Sequence, residues 1–243
     1  GKYKVGQTLN LTNIKGIKIS GVNRQYIYDV GLKSTATCIL DFDSVVGDGL
    51  VIDGFSGFEI TDLAISRNND SGFSALYLKT GFNYTINNLV IDSGINALSH
   101  GIRLGGGIGE TCAFNGTISN NRVIGRNGIG IGTYGGNTSL MFSSNYLVHV
   151  YFKIQGTIYS TFSNNAVDST TTDYCYVIDS TDNYNTTNCT FISCGAEGAK
   201  KSAFFVGDFV QNVEFLNPYT TASNSSGDEQ SGDLMTIKAE YWI

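Results

Sequence analysis

A short phrase recurs, with variation, along almost the whole chain, and it constrains the fold more than any other feature. Each copy contains an apolar residue, then two or three polar residues that are mostly Asn or Ser, and then further apolar residues. Examples are Asn83–Ile91, Asn115–Ile124 and Ser160–Val167. One anchor residue per copy falls every 20 to 32 residues along the chain: Ile60, Ile86, Ile118, Phe142, Phe162, Thr187 and Val213. Such short periods leave room for strands and turns but not for crossover helices, so they predict stacked single-layer coils.

A second apolar segment precedes the anchor in each copy, and the two segments keep a nearly fixed distance. In one copy Ile52 precedes the anchor Ile60 by eight residues. Apolar and polar positions alternate within the segments, as at Phe152, Lys153 and Ile154, which indicates strands with one buried face. We therefore predict two strands per coil and an all-β fold, a right-handed single-stranded parallel β-helix. About eight or nine coils fit in the chain, with equivalent residues stacked about 4.8 Å apart.

Acid or amide side chains follow five of the anchors by two or three residues, at the expected corner of the coil. The set is Asp62, Asn88, Asn121, Asn145 and Asn165. Short polar side chains bond readily to nearby backbone groups and to one another. We therefore interpret the set as one hydrogen-bonded ladder along the stack rather than as metal ligands.

No change of composition divides the chain, so residues 1–243 are predicted to form one β-helix domain. The single proline, Pro218, agrees with this prediction, because a proline inside a strand would delete a hydrogen bond to the next coil. Residues 221–233 are rich in Ser, Gly and Asp and are predicted to form a mobile loop.

The charge pattern and the cysteines argue against several classes of partner. The net charge is −6 and there is neither a basic run nor a phosphate-binding glycine motif, so nucleic acid and nucleotides are poor candidates. No apolar run approaches the roughly 18 residues that cross a bilayer, so membrane insertion is not expected. The five cysteines lack zinc-site spacing and are predicted to be buried free thiols, which favours folding in a reducing cytoplasm. Neither a cofactor nor a metal is predicted.

The N-terminal segment, Gly1 to Leu11 followed by Ile14-Lys-Gly-Ile-Lys-Ile-Ser-Gly21, resembles the opening of pectate-lyase-like proteins. Together with the later Ile-Asp-Gly and Ile-x-Asn-Asn sequences, residues 1–220 are similar to the central domains of bacteriophage tailspikes and tail fibres that degrade surface polysaccharide. The resemblance implies a homotrimer in the virion tail, folded in the host cytoplasm, that binds and cleaves bacterial capsule or lipopolysaccharide O-antigen. It also implies that the chain is the central part of a longer protein.

The alternation within the segments also predicts which side chains face outward. One outward row is Val51, Tyr77, Arg103, Gly130, Lys153, Val177 and Phe204, and the next is Asp53, Lys79, Gly105, Gly132, Gln155 and Asp179. Aromatic rings stack on sugars, and cations pair with uronate or sialate carboxylates. We therefore predict a binding site for an acidic glycan, the alternative being an ordinary solvated face. Its residues are Tyr77, Lys79, His100, Arg103, Tyr151 and Lys153.

Hydrolysis of a glycan requires two carboxyl groups about 5 to 9 Å apart, one protonated and one ionised. Four residues are candidates for this role: Glu110, Asp92, Asp168 and Asp179. Glu110 is the first of them, because it lies in the longest segment between strands and close to Arg103 in sequence. Asp92 precedes the loop that leads to His100, and the other two lie with Asp173 around one corner and strand.

We therefore expect an endo-acting glycoside hydrolase, with two alternatives. The first is a lyase acting by β-elimination, in which a cation neutralises a uronate carboxylate while a base and an acid transfer protons. The groups available for it are Tyr77, Lys79, His100 and Arg103. The second is a glycan-binding adhesin or a structural shaft that does no chemistry. Subunit contacts of an oligomer could involve Tyr176, Val177, Phe204 and Val206.

Overall fold

The computed structural model describes residues 2–21, 38–69, 72–106, 112–169, 171–180, 183–221 and 233–237. All regular elements in these ranges are strands. In chain order the first fourteen are β1 (Lys2–Lys4), β2 (Leu9–Thr12), β3 (Lys18–Ser20), β4 (Ile39–Asp41), β5 (Leu50–Asp53), β6 (Phe55–Thr61), β7 (Ala64–Ser66), β8 (Ser74–Leu78), β9 (Gly81–Asn87), β10 (Val90–Asp92), β11 (His100–Leu104), β12 (Ala113–Ser119), β13 (Arg122–Ile124) and β14 (Ile129–Thr133). They are followed by β15 (Asn137–Ser143), β16 (Tyr146–Val148), β17 (Tyr151–Gln155), β18 (Thr157–Ile158), β19 (Thr161–Ser163), β20 (Ala166–Asp168), β21 (Tyr174–Asp179), β22 (Thr187–Ile192), β23 (Gly195–Glu197), β24 (Ser202–Val206), β25 (Gln211–Leu216), β26 (Tyr219–Thr221) and β27 (Asp233–Ile237).

These strands form three parallel sheets of nine strands each. Sheet I contains β1, β4, β7, β10, β13, β16, β20, β23 and β26; sheet II contains β2, β5, β8, β11, β14, β17, β21, β24 and β27; sheet III contains the remaining nine. Each coil contributes to sheets I, II and III in that order, and one coil supplies both β18 and β19 to sheet III. The predicted parallel β-helix is therefore confirmed, with eight complete coils and two strands of a ninth in the described residues.

The prediction of two strands per coil was wrong, because each complete coil has three sides. The missed side is sheet I, whose strands are three residues long, such as Val90–Asp92. So short a strand cannot show a period of two, and in the third and fourth coils all three of its positions are buried. The two segments recognised in the sequence belong to sheets II and III, where Ile52 lies in β5 and Ile60 in β6.

Stacked aromatic rings fill the interior beneath sheet III. Successive ring centroids in one column are 4.6, 4.5 and 5.1 Å apart: Phe142, Phe162, Phe191 and Phe215. Phe191 and Phe215, rather than Thr187 and Val213, therefore continue the column of anchors in the seventh and eighth coils. The expected anchors were four and two residues too early, because Thr187 pairs with the short additional strand β18.

A second column of stacked rings lies beneath sheet II. Phe152, Tyr176 and Phe204 follow one another with centroids 5.4 and 4.7 Å apart. Tyr176 and Phe204 are fully buried, and Val206 is buried beside them, so the prediction that these three form subunit contacts was wrong. Of the four predicted contact residues, Val177 alone faces outward, in register with Lys153 on the neighbouring coil.

The polar corner side chains form two columns rather than one ladder. Asn121, Asn145 and Asn165 are buried, and each side-chain amide donates to the side-chain oxygen of the next, at 2.9 Å in both cases. Their amides also bond backbone groups of neighbouring coils. Asp62 and Asn88 lie instead in a column with positive φ, 59° for both, which short polar side chains tolerate. The two columns occupy adjacent positions along each coil, two and three residues after the anchor, so the sequence pattern did not distinguish them.

The structure also bears on the predictions about the cysteines, the loop 221–233, membrane insertion and metal ligands. The cysteines are free, four of them buried and Cys38 partly buried, as predicted. Most of the predicted loop 221–233 lies outside the described residues; Thr221 and Asp233, at its ends, belong to β26 and β27. The described part of the chain contains no helix that could span a membrane. Within the same part, His, Cys, Asp and Glu side chains nowhere gather in threes as metal ligands would.

The buried ladder generates a stability prediction. Replacement Asn145→Leu removes the hydrogen bonds that the Asn145 side chain forms with the Asn121 amide, the Ile118 carbonyl and Asn165 Oδ1. We expect the free energy of unfolding to fall by about 3 kcal/mol, because each buried unsatisfied polar group costs roughly 1 to 3 kcal/mol. Denaturant unfolding followed by circular dichroism measures this change. Asn164→Gly is the matched control, because Asn164 is exposed and has a positive φ that glycine adopts readily. Its free energy of unfolding should remain within about 1 kcal/mol of the wild-type value. An equal loss of this free energy in both variants would contradict a special role for the ladder.

Candidate functional site

Three columns of outward side chains run along sheet II, and the strand register fixes their members. The first column contains Ser74, His100, Ile129 and Tyr151. The second contains Val51, Tyr77, Arg103, Gly132, Lys153, Val177 and Phe205. The third column lies one residue after the inward-facing residues that the strand register aligns, such as Leu78 and Leu104. It contains Asp53, Lys79, Gly105, Tyr134, Gln155 and Asp179. We call Tyr77, Lys79, His100, Arg103, Tyr134, Tyr151 and Lys153 the cationic face.

The six predicted binding residues thus lie together, but the predicted rows contain errors of register. In the fifth coil Gly132, not Gly130, is in register with Arg103, and Tyr134 takes the place expected for Gly132. The second column continues to Phe205 rather than Phe204. The fifth-coil error is a shift of two residues, which preserves the alternation of a strand, so the pattern alone could not reveal it. The error at Phe204 is a shift of one residue between two adjacent phenylalanines.

A buried threonine explains why the fifth coil was misread. Thr133 occupies the inward position that Leu104 and Ile154 occupy on the adjoining coils. Its hydroxyl lies 2.7 Å from that of Thr157 and accepts a hydrogen bond from the backbone N–H of Gln155. Because Thr133 is polar and stands in an apolar row, the sequence pattern did not indicate the correct register. For the same reason it did not indicate that Tyr134 faces outward. Tyr134 is therefore the site residue that the sequence analysis missed.

Arg103 is held between two tyrosine rings. Its Cζ lies 4.5 Å from the ring centroid of Tyr77 and 5.2 Å from that of Tyr134. Lys79 Nζ lies 5.4 Å from the Tyr77 ring, and Lys153 Nζ lies 5.5 Å from the Tyr134 ring. Such contacts contribute about 0.5 to 2 kcal/mol each, so they hold the three cations close together despite their mutual repulsion.

The three cations of this face have no ion-pair partner within the described residues. The ion pairs found there join Lys2 to Asp41, Lys18 to Glu59 and Lys201 to Asp173. Arg103 Nε is buried and has no hydrogen-bond acceptor among the described groups. Cations that lack an anionic partner among the described residues suit this surface to an anionic ligand, whose charge would balance theirs.

His100 is a buried member of the cationic face and contacts Tyr134. Its Nε2 is 2.6 Å from the Tyr134 hydroxyl. Burial, assisted by the charges of Arg103 and Lys153, lowers the pKa of His100 to about 3. The imidazole is therefore neutral, and a hydrogen bond joins its Nε2 to the Tyr134 hydroxyl. Burial also raises the pKa of Tyr134, which keeps that hydroxyl protonated.

Gly132 makes room for this pair of side chains. A Cβ at this position would lie 2.9 Å from Tyr134 Cε2 and 3.0 Å from His100 Cδ2. Carbon atoms do not approach so closely without displacement, so a larger residue would push the tyrosine ring away from the sheet. Gly132 therefore leaves a gap in the outward column, and the Tyr134 ring covers it.

The three predicted catalytic carboxylates that the structure describes are not brought together. Glu110 lies outside the described residues. Asp92 is on sheet I and only 1% exposed, with Oδ1 accepting the backbone N–H of Gly94, so a substrate could not reach it in this conformation. Asp168 is also on sheet I, 3.4 Å from the Tyr146 hydroxyl. Asp179 alone lies in the outward columns of sheet II, where it caps the backbone N–H of Ser180.

Distances along the coils test which described carboxyl groups could act as a pair. Asp53 and Asp179 are five coils apart, or about 24 Å, and Asp173 and Asp179 are separated by six residues of strand, or about 20 Å. Both distances exceed the roughly 5 to 9.5 Å that glycoside hydrolysis requires. Asp168 and Glu197, by contrast, are direct neighbours on sheet I. The sequence analysis overlooked that pair because it missed sheet I.

Comparisons with known proteins concern the fold. No family model and no curated protein matches the chain. Among solved structures, the catalytic unit of a thermostable GH87 alpha-1,3-glucanase from Streptomyces thermodiastaticus matches with 11% identity and a TM-score of 0.41, covering 100% of this chain and 62% of that one. A GH87 alpha-1,3-glucanase catalytic domain in complex with tetrasaccharides matches with 11% identity and a TM-score of 0.35, covering 99% and 64%. The chain thus spans less than two thirds of either, and no residue role is carried over from them.

The environment of His100 gives a prediction about pH. A histidine in the unfolded chain has a pKa near 6.5, so below that pH the unfolded state binds a proton that the folded state, with a pKa of about 3, does not. Because of His100, the free energy of unfolding decreases as the pH falls from about 6.5 towards 3. Above pH 6.5 His100 adds nothing to the pH dependence of that free energy. We expect nitrogen NMR to show a neutral ring from pH 5 to 8. Replacement His100→Gln should make the free energy of unfolding less dependent on pH below 6.5; a His100 ring that titrates near pH 6.5 would contradict this geometry.

Proposed function

We propose that the chain binds and cleaves an anionic polysaccharide of a bacterial surface, with the cationic face as the binding site. One observation carries the proposal: Lys79, Arg103 and Lys153 are held over tyrosine rings in neighbouring coils and have no anionic partner among the described residues. A net charge of −6 makes such an unbalanced group of cations a local feature rather than a general property of the surface. Glycan carboxylates would complete it.

The shape of the cationic face favours a long ligand over a small anion. Lys79 and Lys153 are three coils apart, which is about 14 Å along the axis of the helix. Tyr77, Tyr134 and Tyr151 lie between or beside them and offer aromatic surface, on which sugar rings stack. A single phosphate or carboxylate could neutralise only one end of this array, whereas a chain of sugars could contact all of it.

The resemblance of residues 1–220 to phage tailspikes supports a more specific role. We propose that the chain belongs to a tail protein that acts outside the cell, on capsule or on lipopolysaccharide O-antigen. Binding and cleavage of such a polymer suit a rigid β-helix, because sites stacked along its axis can contact several consecutive sugars. A glycan-binding adhesin would use the same face without cleavage, and activity measurements separate the two roles.

Hydrolysis is the first candidate reaction, and Glu110 is the first candidate for one of its two carboxyl groups. Asp179 is too far from Asp53 and from Asp173 to pair with either, whereas Glu110 follows β11, the strand that carries Arg103. One carboxyl would protonate the departing glycosidic oxygen, and a second would activate water or attack the sugar directly. On this proposal Glu110 supplies one of the two groups.

β-Elimination is the second candidate, and the arrangement of His100, Arg103 and Tyr134 favours it. Arg103 would pair with a uronate carboxylate and so make the neighbouring C5 proton more acidic. Tyr77, which lies against Arg103 and Lys79, is the group left to take up that proton through its phenolate oxygen. A C4–C5 double bond forms, and the C4–O bond breaks. The Tyr134 hydroxyl, oriented by neutral His100, would then protonate the departing oxygen. Both reactions release a new reducing end, but only elimination leaves an unsaturated sugar.

A panel of capsular and lipopolysaccharide glycans tests the function. We expect new reducing ends from at least one acidic polymer, and ultraviolet absorbance of the unsaturated product tells elimination from hydrolysis. Glu110→Gln should abolish hydrolysis without altering the thermal unfolding midpoint, whereas Tyr134→Phe should slow elimination by about 100-fold or more, as expected for loss of a general acid. A protein that binds an acidic glycan and releases no product would be an adhesin, which would contradict the enzymatic part of the proposal.

Arg103→Ala tests the binding site separately from the reaction. We expect affinity for the acidic glycan to fall about 10- to 100-fold, as the loss of a hydrogen bond to a charged group implies. Lys18→Ala is the matched control, because Lys18 lies on sheet III and already pairs with Glu59 at 2.8 Å. Calorimetric titration measures both variants. Equal affinities of Arg103→Ala and the wild type would show that the cationic face is an ordinary solvated surface.

We also propose a homotrimer that assembles through the outer face of sheet III. In the third to seventh coils, the segments 81–88, 113–121, 137–145, 157–165 and 186–192 contain no Asp, Glu, Lys, Arg or His. Phe82, Phe114, Met141 and Tyr159 are exposed on this side. Copies with a net charge of −6 repel one another, so contact through an uncharged, partly apolar face has the lowest electrostatic cost.

Met141→Glu tests this assembly, because it would place three like charges close together in the proposed contact. Size-exclusion chromatography with light scattering should show a trimer for the wild type and a monomer for Met141→Glu. The control Tyr219→Glu, at an exposed position of sheet I, should remain a trimer. A wild-type protein that is monomeric at micromolar concentration would contradict the proposal.

A further inference from the structure

A second concave region adjoins the cationic face at the corner between sheets I and II. It is a cavity of about 320 Å³ in the fifth to seventh coils, within the range of roughly 300 to 1,000 Å³ typical of small-molecule sites. Its lining residues are Asn127, Tyr151, Thr171, Thr172, Asp173, Tyr174 and Val177. We call it the corner cavity. Tyr151 belongs both to this cavity and to the cationic face, so the two are continuous.

The corner cavity combines aromatic surface with groups that form hydrogen bonds. Tyr151 and Tyr174 begin the sheet II strands of neighbouring coils. The Tyr174 ring is fixed by the ring of Phe205, 4.9 Å away, and by Lys201 Nζ at 5.8 Å. An aromatic platform held in this way is suited to the apolar face of a sugar ring, since little conformational freedom is lost on binding.

The polar groups of the corner cavity can bond sugar hydroxyls. The hydroxyl of Thr171 donates to the backbone carbonyl of His149 at 3.2 Å, and that of Thr172 lies 2.9 Å from the carbonyl of Tyr174. Hydroxyl oxygens fixed as donors retain lone pairs that accept hydrogen bonds. The Asn127 amide offers both donors and an acceptor, and the Asp173 carboxylate has further acceptor capacity.

Charge distinguishes the corner cavity from the cationic face. Asp173, the only charged residue of its lining, forms an ion pair with Lys201 at 2.7 Å, so the cavity has little net charge. The cations of the cationic face are unbalanced within the described residues. The corner cavity is therefore suited to an uncharged sugar ring with several hydroxyls, and the cationic face is suited to a carboxylate.

We infer that the corner cavity binds an uncharged sugar of the same polysaccharide whose acidic sugar lies on the cationic face. The inference rests on the proposed function. It identifies the substrate class as a heteropolysaccharide whose repeat contains an acidic and an uncharged sugar, rather than a homopolymer of uronate. Tyr151, at the boundary, would contact both sugars.

Two variants and three probes test the inference. The probes are oligomers of polygalacturonate, which contain uronate only, oligomers of hyaluronan, which alternate uronate with an uncharged N-acetylhexosamine, and the methyl glycoside of N-acetylglucosamine. Tyr174→Ala should weaken hyaluronan binding about tenfold, abolish saturation-transfer NMR signals of the methyl glycoside and leave polygalacturonate within twofold. Arg103→Ala should weaken both anionic oligomers and leave the methyl glycoside signals intact.

Controls separate the possible failures. Thr171→Val removes one hydroxyl without disturbing the aromatic contact and should weaken the same probes as Tyr174→Ala, whereas Tyr219→Ala on sheet I should change nothing. No signal from the methyl glycoside, or equal effects of Tyr174→Ala on both anionic oligomers, would overturn the inference while the proposed function stands. Failure of both anionic oligomers to bind the wild-type protein, with the methyl glycoside still bound, would overturn the acidic part of the substrate and with it the proposed function.

Discussion

The structure depends on the register of hydrogen bonds between parallel coils. Once one strand is aligned with the next, each outward side chain has a neighbour about 4.8 Å away on the coil above and another on the coil below. Residues far apart in the chain become adjacent for this reason alone. Arg103 lies beside Tyr77 because β11 pairs with β8 in one particular register, and the cationic face is a consequence of that alignment.

Much of this arrangement could be predicted from the sequence, since a repeating pattern of burial specifies both the strands and the side that faces outward. The parallel β-helix, the number of coils and the grouping of Tyr77, Arg103 and Lys153 all followed from the alternation. The errors have physical causes. Alternation cannot distinguish a register from one shifted by two residues, and the hydrogen-bonded Thr133 in an apolar row concealed the correct alignment and the role of Tyr134. Strands of three residues on sheet I carry too little pattern to be recognised.

The chemistry of individual side chains was less predictable, because it depends on burial and on neighbours that no pattern specifies. His100 was expected as a basic residue, yet burial beside Arg103 and Lys153 keeps it neutral. Asp92 was expected as a catalytic acid, but sheet I buries it. The corner cavity contains Tyr151, a predicted binding residue, together with Asn127 from the corner of the preceding coil, a juxtaposition that only the folded chain shows.

Each side of the helix thus has its own charge character, which suits it to a different contact. Sheet II carries cations with no anionic partner among the described residues, sheet III is uncharged in its central coils, and the corner between sheets I and II carries a balanced ion pair. The central claim is that an acidic sugar supplies the missing partner of Arg103. A crystal structure with a bound acidic oligosaccharide tests it most directly: we predict a glycan carboxylate within hydrogen-bonding distance of the Arg103 guanidinium. An oligosaccharide bound on another side of the helix, such as beside Asp168 and Glu197, with Arg103 making no contact to it, would contradict that claim.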